Sequence, residues 1–433
     1  MLAEIHMSAK SPTWYRSRGY LHFDLPISSV KAKRLVTNPE LVAKHAFFPL
    51  INYSVESKKI SKDKASSRID VTYKERPIAY SSHVDSHIYA YYAELLSVKY
   101  ESKLKELELS ECVLAFRGLG KSNIDFAHEA FEQIKNMGEC SAVALDFSKF
   151  FDTLDHELLK KSWAAILDTN KLPNDHFNVF KSITKFSKVN KVDLYNEFSI
   201  SNNNPKKGRN RVCSSKEFRD VVRAKKLIKT NQDSFGIPQG SPISALLSNI
   251  YMLEFDAEMN RYVKMYGGKY YRYCDDMLFI VPTGQKKKVA GYAQKKVKGL
   301  KVSINPKKTE LRTFTKQGNI LVADQMLQYL GFMFDGENAY IRSSSLARYS
   351  EKMKRGIRLA KKTMVKYNAI RQSKGLDEQP LYKRKLYSRY THLGGRNFIT
   401  YGLRAADTMG SKTIKRQLKP LWRRFNEELK KET

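Results

Sequence analysis

The run YYRYCDDMLFIV, residues 270–281, is apolar on both sides of two adjacent aspartates. That pattern predicts a strand, a turn and a returning strand, with Asp275 and Asp276 at the tip. Upstream, SAVALDF (141–147) reads as a short apolar strand that ends at Asp146. RIDVTYKERPIAY (68–80) has strand character, and SHIYAYYAELLSVKYESKL (86–104) repeats its apolar residues at helical spacing, so the two predict a hairpin feeding a helix. CVLAFRGLGKSN (112–123) predicts a short strand and a basic glycine loop before a helix over IDFAHEAFEQIKNM (124–137). Residues 1–65 mix helical and irregular patterns, and the polar run SVESKKISKDKASS (54–67) reads as a loop or linker.

From 157 to 234 the periodicity weakens, and SNNNPKKGRNR (201–211) reads as a polar, basic, mobile insertion. GIPQGSP (236–242) is a glycine and proline turn that opens one long amphipathic helix. After the aspartate hairpin come a basic helix over 285–302, the segment INPKKTELRTF (304–314), and a hairpin from LQYLGFMFDG (327–336) and AYIRSS (339–344). The rest is helical in pattern.

Charge changes the picture. The chain has 433 residues, with 78 Lys and Arg against 44 Asp and Glu, a formal net charge of +34. Such an excess repels itself unless a polyanion offsets it, which points to nucleic acid. No apolar run approaches the roughly 20 residues of a membrane span, and MLAEIHMSAK lacks a signal-peptide core, so a cytoplasmic protein without a membrane partner is expected. The four cysteines are too far apart for a zinc site or a disulfide framework. Residues 351–433 carry 23 Lys and Arg against 7 Asp and Glu, with Tyr382, Tyr387, Tyr390, Phe398, Tyr401 and Trp422 interleaved. Cations that track phosphates beside rings that stack on bases make a nucleic-acid surface, with Lys383, Arg384, Lys385, Arg389 and Arg396 at its centre.

AFRGLGKS (115–122) nearly matches the phosphate loop of NTPases, and SAVALDF imitates the strand that holds their magnesium. Ala115 replaces the first glycine of that motif, so the anion-cradling turn is not supplied. A better fit joins Asp146, the turn 236–242 and the Asp275–Asp276 pair. Phosphoryl transfer assisted by two metals needs carboxylates from separate strands, and magnesium takes its remaining ligands from phosphate and water.

In this order the segments resemble the palm motifs of reverse transcriptases: ALDFSKFFD, GIPQGSP, YCDD, INPKKTE and LQYLGF, with YKERPI and LAFRGLGKS similar to fingers motifs. The resemblance covers about residues 68–345. It implies an α+β right-hand polymerase: an N-terminal fingers segment at 1–65, fingers at 66–140, a palm at 141–335 with a basic insertion near 168–234, and a basic helical thumb at 336–433. Asp146, Phe147 and Asp275 would hold two Mg2+ ions, with Asp276 in support and Lys308 charging or protonating the leaving pyrophosphate. Arg76 and Lys74 would reach the triphosphate, and Gln239 and Gly240 would lie near the incoming nucleotide. Phe151, with Phe150 beside it, would exclude the ribose 2′-hydroxyl, which implies DNA synthesis from dNTPs. Arg117 and Lys121 would contact nucleic acid.

No ribonuclease H, maturase or zinc-bearing endonuclease signature follows the palm, and the retron signatures N-A-x-x-H and V-T-G are missing. The resemblance is nearest to the bacterial defence-associated reverse transcriptases, particularly type 2. It implies cDNA made on a neighbouring noncoding RNA in antiphage defence. A retron-like or template-independent polymerase is the alternative in this class; a phosphate-loop NTPase or an RNA-binding scaffold is the alternative outside it.

Overall fold

The computed structural model describes residues 12–62 and 69–431. The chain forms two compact units, each assembled from separated stretches: Met1–Arg117, Phe147–Met259 and Gln294–Ile304 make the first, and Gly118–Asp146, Asn260–Ala293 and Asn305–Thr433 the second.

In the first unit, β1 (Leu50–Lys62) and β2 (Ile69–Tyr80) form a long antiparallel ladder, from Ile51 opposite Tyr80 to Lys62 opposite Ile69. The expected linker over 54–67 is therefore strand as far as Lys62, and the rest of it lies outside the described residues. Ser54, Val55, Glu56 and Ser57 are exposed, as are residues 71–77 opposite, so pairing rather than one-sided burial holds this ladder and no apolar alternation marks it. β2 leads into the helix His83–Glu106, capped by Ser82 accepting from the Asp85 N–H.

The weakly periodic stretch 157–234 is folded around a largely exposed run of turns and bends at 201–211. It holds the helices Asn174–Thr184 and Lys191–Glu197 and a π-helical turn, Phe218–Arg223. β4 (Ser187–Asn190) pairs in parallel with β1, and β5 (Lys229–Thr230) pairs antiparallel with β4. Val189, Leu194, Val212 and Val222 share a core with Leu21, Phe23 and Ile51, so the partners that order this segment lie far away in sequence. The single long helix expected after GIPQGSP is two, Ser244–Tyr251 and Leu253–Lys264, interrupted at Met252.

The second unit is built on β3 (Cys140–Asp146) at the centre of a five-stranded antiparallel sheet. β6 (Lys269–Tyr273) and β7 (Asp276–Pro282) lie on one side of it, and β8 (Glu310–Gln317) and β9 (Ile320–Ala323) on the other. The short strands β10 (Leu327–Tyr329), β11 (Phe332–Phe334) and β12 (Ala339–Ile341) make a separate antiparallel sheet. One core joins Cys140, Ala142, Leu278 and Ile280 of the large sheet to Phe131 of the helix Asn123–Met137, to Phe332 and Phe334, and to Phe425 near the C-terminus.

The expected strand before the glycine loop is missing: residues 114–120 are turn and irregular chain. The tail is helical as its pattern predicts, with helices at Ser343–Gln372, Arg384–Tyr390, Phe398–Thr408 and Lys412–Lys430. Among the described residues no helix is long and apolar enough to cross a membrane. All four cysteines are buried free thiols.

Candidate active site

β3 and β7 pair so that Asp146 stands directly opposite Asp276. Alternate residues share a face of the sheet, so the face that carries Cys140, Ala142, Leu278 and Ile280 into the core ends in these two carboxylates. The hairpin tip is Cys274–Asp275 rather than the two aspartates, because Asp276 is already the first residue of β7 and pairs with Tyr273. Cys274 turns the corner at φ 59°, a region that favours glycine.

Arg272, fully buried, donates to the Cys274 carbonyl at 3.1 Å and braces that turn. No motif pointed to Arg272, yet a charged residue at an inward position of an apolar strand was a signal available in YYRYCDD.

Three carboxylates at the rim of an apolar core repel one another. Burial, and then the charges of Asp275 and Asp146, push the Asp276 carboxyl up to about 7, while Lys308 pulls it down. The Lys308 ammonium lies 2.7 and 2.6 Å from the two oxygens of Asp146. It rises from a 3-10 turn, Pro306–Lys308, and this segment is fixed to β3 by the Asn305 N–H donating to the Asp146 carbonyl at 2.7 Å. Hard oxygen donors carrying surplus negative charge suit a divalent cation. Among the described residues no three His, Cys, Asp or Glu side chains stand as a closed metal cage, so the fit rests on donor type and charge.

In the first unit, the backbone gathers the residues expected near the nucleotide. Lys149, at φ 49°, turns the chain into the short helix Phe150–Thr153. Phe150 is buried and stacks on Phe147 at 4.8 Å, which makes both rings packing residues; Phe151 is half-buried. The turn 236–240 is pinned at both ends. The Ile237 N–H donates to the Phe151 carbonyl at 2.8 Å, and the Ala79 N–H donates to the Gln239 carbonyl at 2.7 Å. Gly240 has φ 110°, and a Cβ there would lie 2.7 Å from the Ala79 carbonyl oxygen, so glycine is required by both conformation and space.

His156, which sequence reasoning missed, bonds the Gly236 carbonyl through Nε2 at 2.8 Å; burial lowers its pKa, and the neutral ring donates. Gln239 is half-buried and Gly240 exposed, and Lys74 and Arg76 are exposed on β2 a few residues before Ala79.

Two expected nucleic-acid contacts are corrected or reduced. The Arg117 side chain is only 4% exposed: it pairs with Glu101 and donates to the carbonyls of Ser110 and Val113, so it serves the fold. Lys121 is exposed but pairs with Glu129 at 2.6 Å. The phosphate-loop reading fails on geometry as well. The helix N-terminus that would receive a phosphate is filled by the Ser122–Asp125 capping box, and the strand ending at Asp146 is antiparallel to both its neighbours.

In the tail, Lys383, Arg384, Lys385, Arg389 and Arg396 are all exposed. Most of the interleaved rings are packing residues instead: Tyr390 is buried, Phe398 stacks on Tyr349 at 4.7 Å, and Tyr387 meets Phe425 edge-on. Tyr401 is half-buried and takes a hydrogen bond from Asn123. Tyr382 and Trp422 remain exposed.

Residues 96–334, more than half of the chain, match the family model described as reverse transcriptase (RNA-dependent DNA polymerase). The chain belongs to this family, and its mixed helices and antiparallel sheets are an α+β fold of the right-hand polymerase class. Among solved structures it is similar to apo telomerase from Candida tropicalis, at 11% identity and TM-score 0.43, covering 89% of this chain and 61% of that one. It is also similar to telomerase from Candida albicans in complex with a TWJ fragment of telomeric RNA, at 11% identity and TM-score 0.40, covering 92% and 65%. The chain thus spans under two thirds of the length of these telomerases. No curated protein matches it.

Proposed function

We propose that this chain extends a primer 3′-hydroxyl with deoxynucleotides on an RNA template by two-metal nucleotidyl transfer. The observation that carries the reading is the register of β3 against β7, which sets Asp146 opposite Asp276 beside the Asp275 turn. Asp146 and Asp275, with the backbone at Phe147, would hold two Mg2+ ions, and Asp276 would tune their charge. Bound there, the ions supply Lewis-acid stabilisation of the attacking and leaving oxygens. Lys308, whose ammonium sits on both Asp146 oxygens, would serve the leaving pyrophosphate as a charge partner or acid. Arg76 and Lys74 hold the triphosphate, Gln239 and Gly240 line the nucleotide, and Phe151 rejects the 2′-hydroxyl.

The resemblance to defence-associated reverse transcriptases supports a finer reading. In it, the template is a neighbouring noncoding RNA, the product is cDNA, and the cytoplasmic enzyme acts against phage. The retron-like and template-independent alternatives differ in primer and template, so sequencing the nucleic acid that copurifies with the protein decides among them.

Replacing Asp275 and Asp276 by Ala is expected to abolish magnesium-dependent primer extension without lowering the melting temperature. Removing crowded carboxylates relieves the repulsion that raises the Asp276 carboxyl. Lys121→Ala is expected to leave extension intact. Loss of ATP hydrolysis in Lys121→Ala, with extension unaffected by the aspartate changes, would refute the polymerase mechanism.

A further inference from the structure

The second half of the helix Ser343–Gln372 and the chain returning to Arg384–Tyr390 enclose an open cavity of 740 Å³. Its walls are apolar and wet: Leu359 is 65% exposed, Tyr367 61%, Leu376 49% and Tyr382 65%. Arg371, Lys374, Lys385 and Arg389 surround them, and none of the residues lining the cavity is acidic. The bowl is held open by the fold. Asn368, itself buried, donates to the Gln379 carbonyl and accepts from the Gln379 N–H, both at 3.0 Å, and Arg371 donates to the Asp377 carbonyl at 2.6 Å. A second groove of 990 Å³ adjoins it, sharing Lys385, Arg389 and Tyr390 and adding Arg348, Lys352 and Arg396.

Exposed apolar surface of this kind marks a binding site, and the charges around it restrict the partner to a polyanion that also carries flat apolar groups. A duplex offers its phosphates but hides its base faces in the stack. A single strand offers both. We propose that the bowl takes unstacked bases of single-stranded RNA, with the neighbouring phosphates lying along the adjoining basic groove. Tyr367 and Tyr382 supply the stacking faces; Lys385 and Arg389, common to both cavities, keep the backbone in register. The choice of RNA rests on the RNA-directed reading above, because the template is the strand this enzyme must hold unpaired outside the copied duplex.

The test uses the full chain and fluorescence anisotropy, with a short unstructured RNA and with the same RNA annealed to its complement. Tyr367→Ala combined with Tyr382→Ala is expected to weaken single-strand binding by about tenfold for each stack lost, while duplex affinity stays near wild type. The corresponding Tyr→Phe pair is expected to keep single-strand affinity. Lys385→Ala with Arg389→Ala is expected to flatten the salt dependence for both ligands. Both tyrosines are exposed, so an unchanged melting temperature checks the fold.

An equal loss on single strand and duplex, or none on either, would overturn the assignment. So would tighter binding of single-stranded DNA than RNA, or an acidic peptide that loses affinity in the Tyr→Ala pair when RNA does not. These measurements need no turnover, so they fail independently of the primer-extension test of the carboxylates.

Discussion

Two adjacent rings, Phe150 and Phe151, meet different surroundings, and the difference assigns their parts in the proposed reaction. Phe150 is 3% exposed and stacked on Phe147, so Phe150→Ala leaves a cavity and is expected to cost about 3 kcal/mol of stability. Phe151 is half-buried, and its carbonyl is tied to the turn 236–240 through Ile237. Phe151→Ala is expected to admit ribonucleotides at little cost to folding. The ratio of kcat/KM for matched deoxy- and ribonucleotides reads this directly, since each tenfold loss of selectivity is about 1.4 kcal/mol of transition-state discrimination. A ratio that falls in Phe150→Ala and not in Phe151→Ala would place the gate one residue earlier.

At the scale of the element, the loop 236–240 acts as a strut, because two backbone bonds join it to Phe151 and to Ala79. Gly240→Ala pushes a Cβ against the Ala79 carbonyl at φ 110°, so the loop must move away from β2. About 1–3 kcal/mol of strain is expected, read as a raised KM for dNTPs and a lowered melting temperature. Gly118→Ala is the control: a Cβ there meets nothing within 4 Å, and the change is expected to be silent in both measurements. The hairpin β6–β7 was legible in its apolar runs, although its tip was placed one residue late. The long helix after GIPQGSP was not legible as two helices, since no proline or glycine marks the break at Met252.

For the whole molecule, acid sensitivity follows from buried histidine. His22 is fully buried among the rings of Tyr20, Phe23 and Tyr80, and burial lowers its pKa to about 3. It is neutral in the fold and takes a proton in the unfolded chain below about 6.5, so its linkage lowers stability as pH falls from about 6.5 toward 3. Asp276 works in the opposite direction, because a carboxyl raised to about 7 gains its proton first in the folded state. The histidine contribution is therefore isolated by comparison: wild type is expected to lose about 2 kcal/mol relative to His22→Phe between pH 7 and pH 5. Denaturant midpoints of the two proteins at both pH values measure it, and a constant difference would remove His22 from the acid response.

The backbone setting of the candidate site was readable where its residues sit in short local patterns. A strand ending in Asp, a turn with two glycines and YCDD are each set by neighbours within a few positions. Those patterns held: Asp146 ends β3, Gly240 needs its positive φ, and Asp275 and Asp276 stand at a hairpin. What tertiary structure decided was the fate of groups whose partners are distant in sequence. Arg117 looked like a phosphate contact until Glu101 and two carbonyls claimed it. The tract 201–211 looked mobile by composition, but its flanks pack on Leu21, Phe23 and Ile51. The tail's rings divided into packing residues and exposed faces according to which side of each helix met the core, and its composition is the same on either side. Charge and pattern along a chain report what each residue can do; burial and pairing, which need the folded coordinates, select which of those capacities is used.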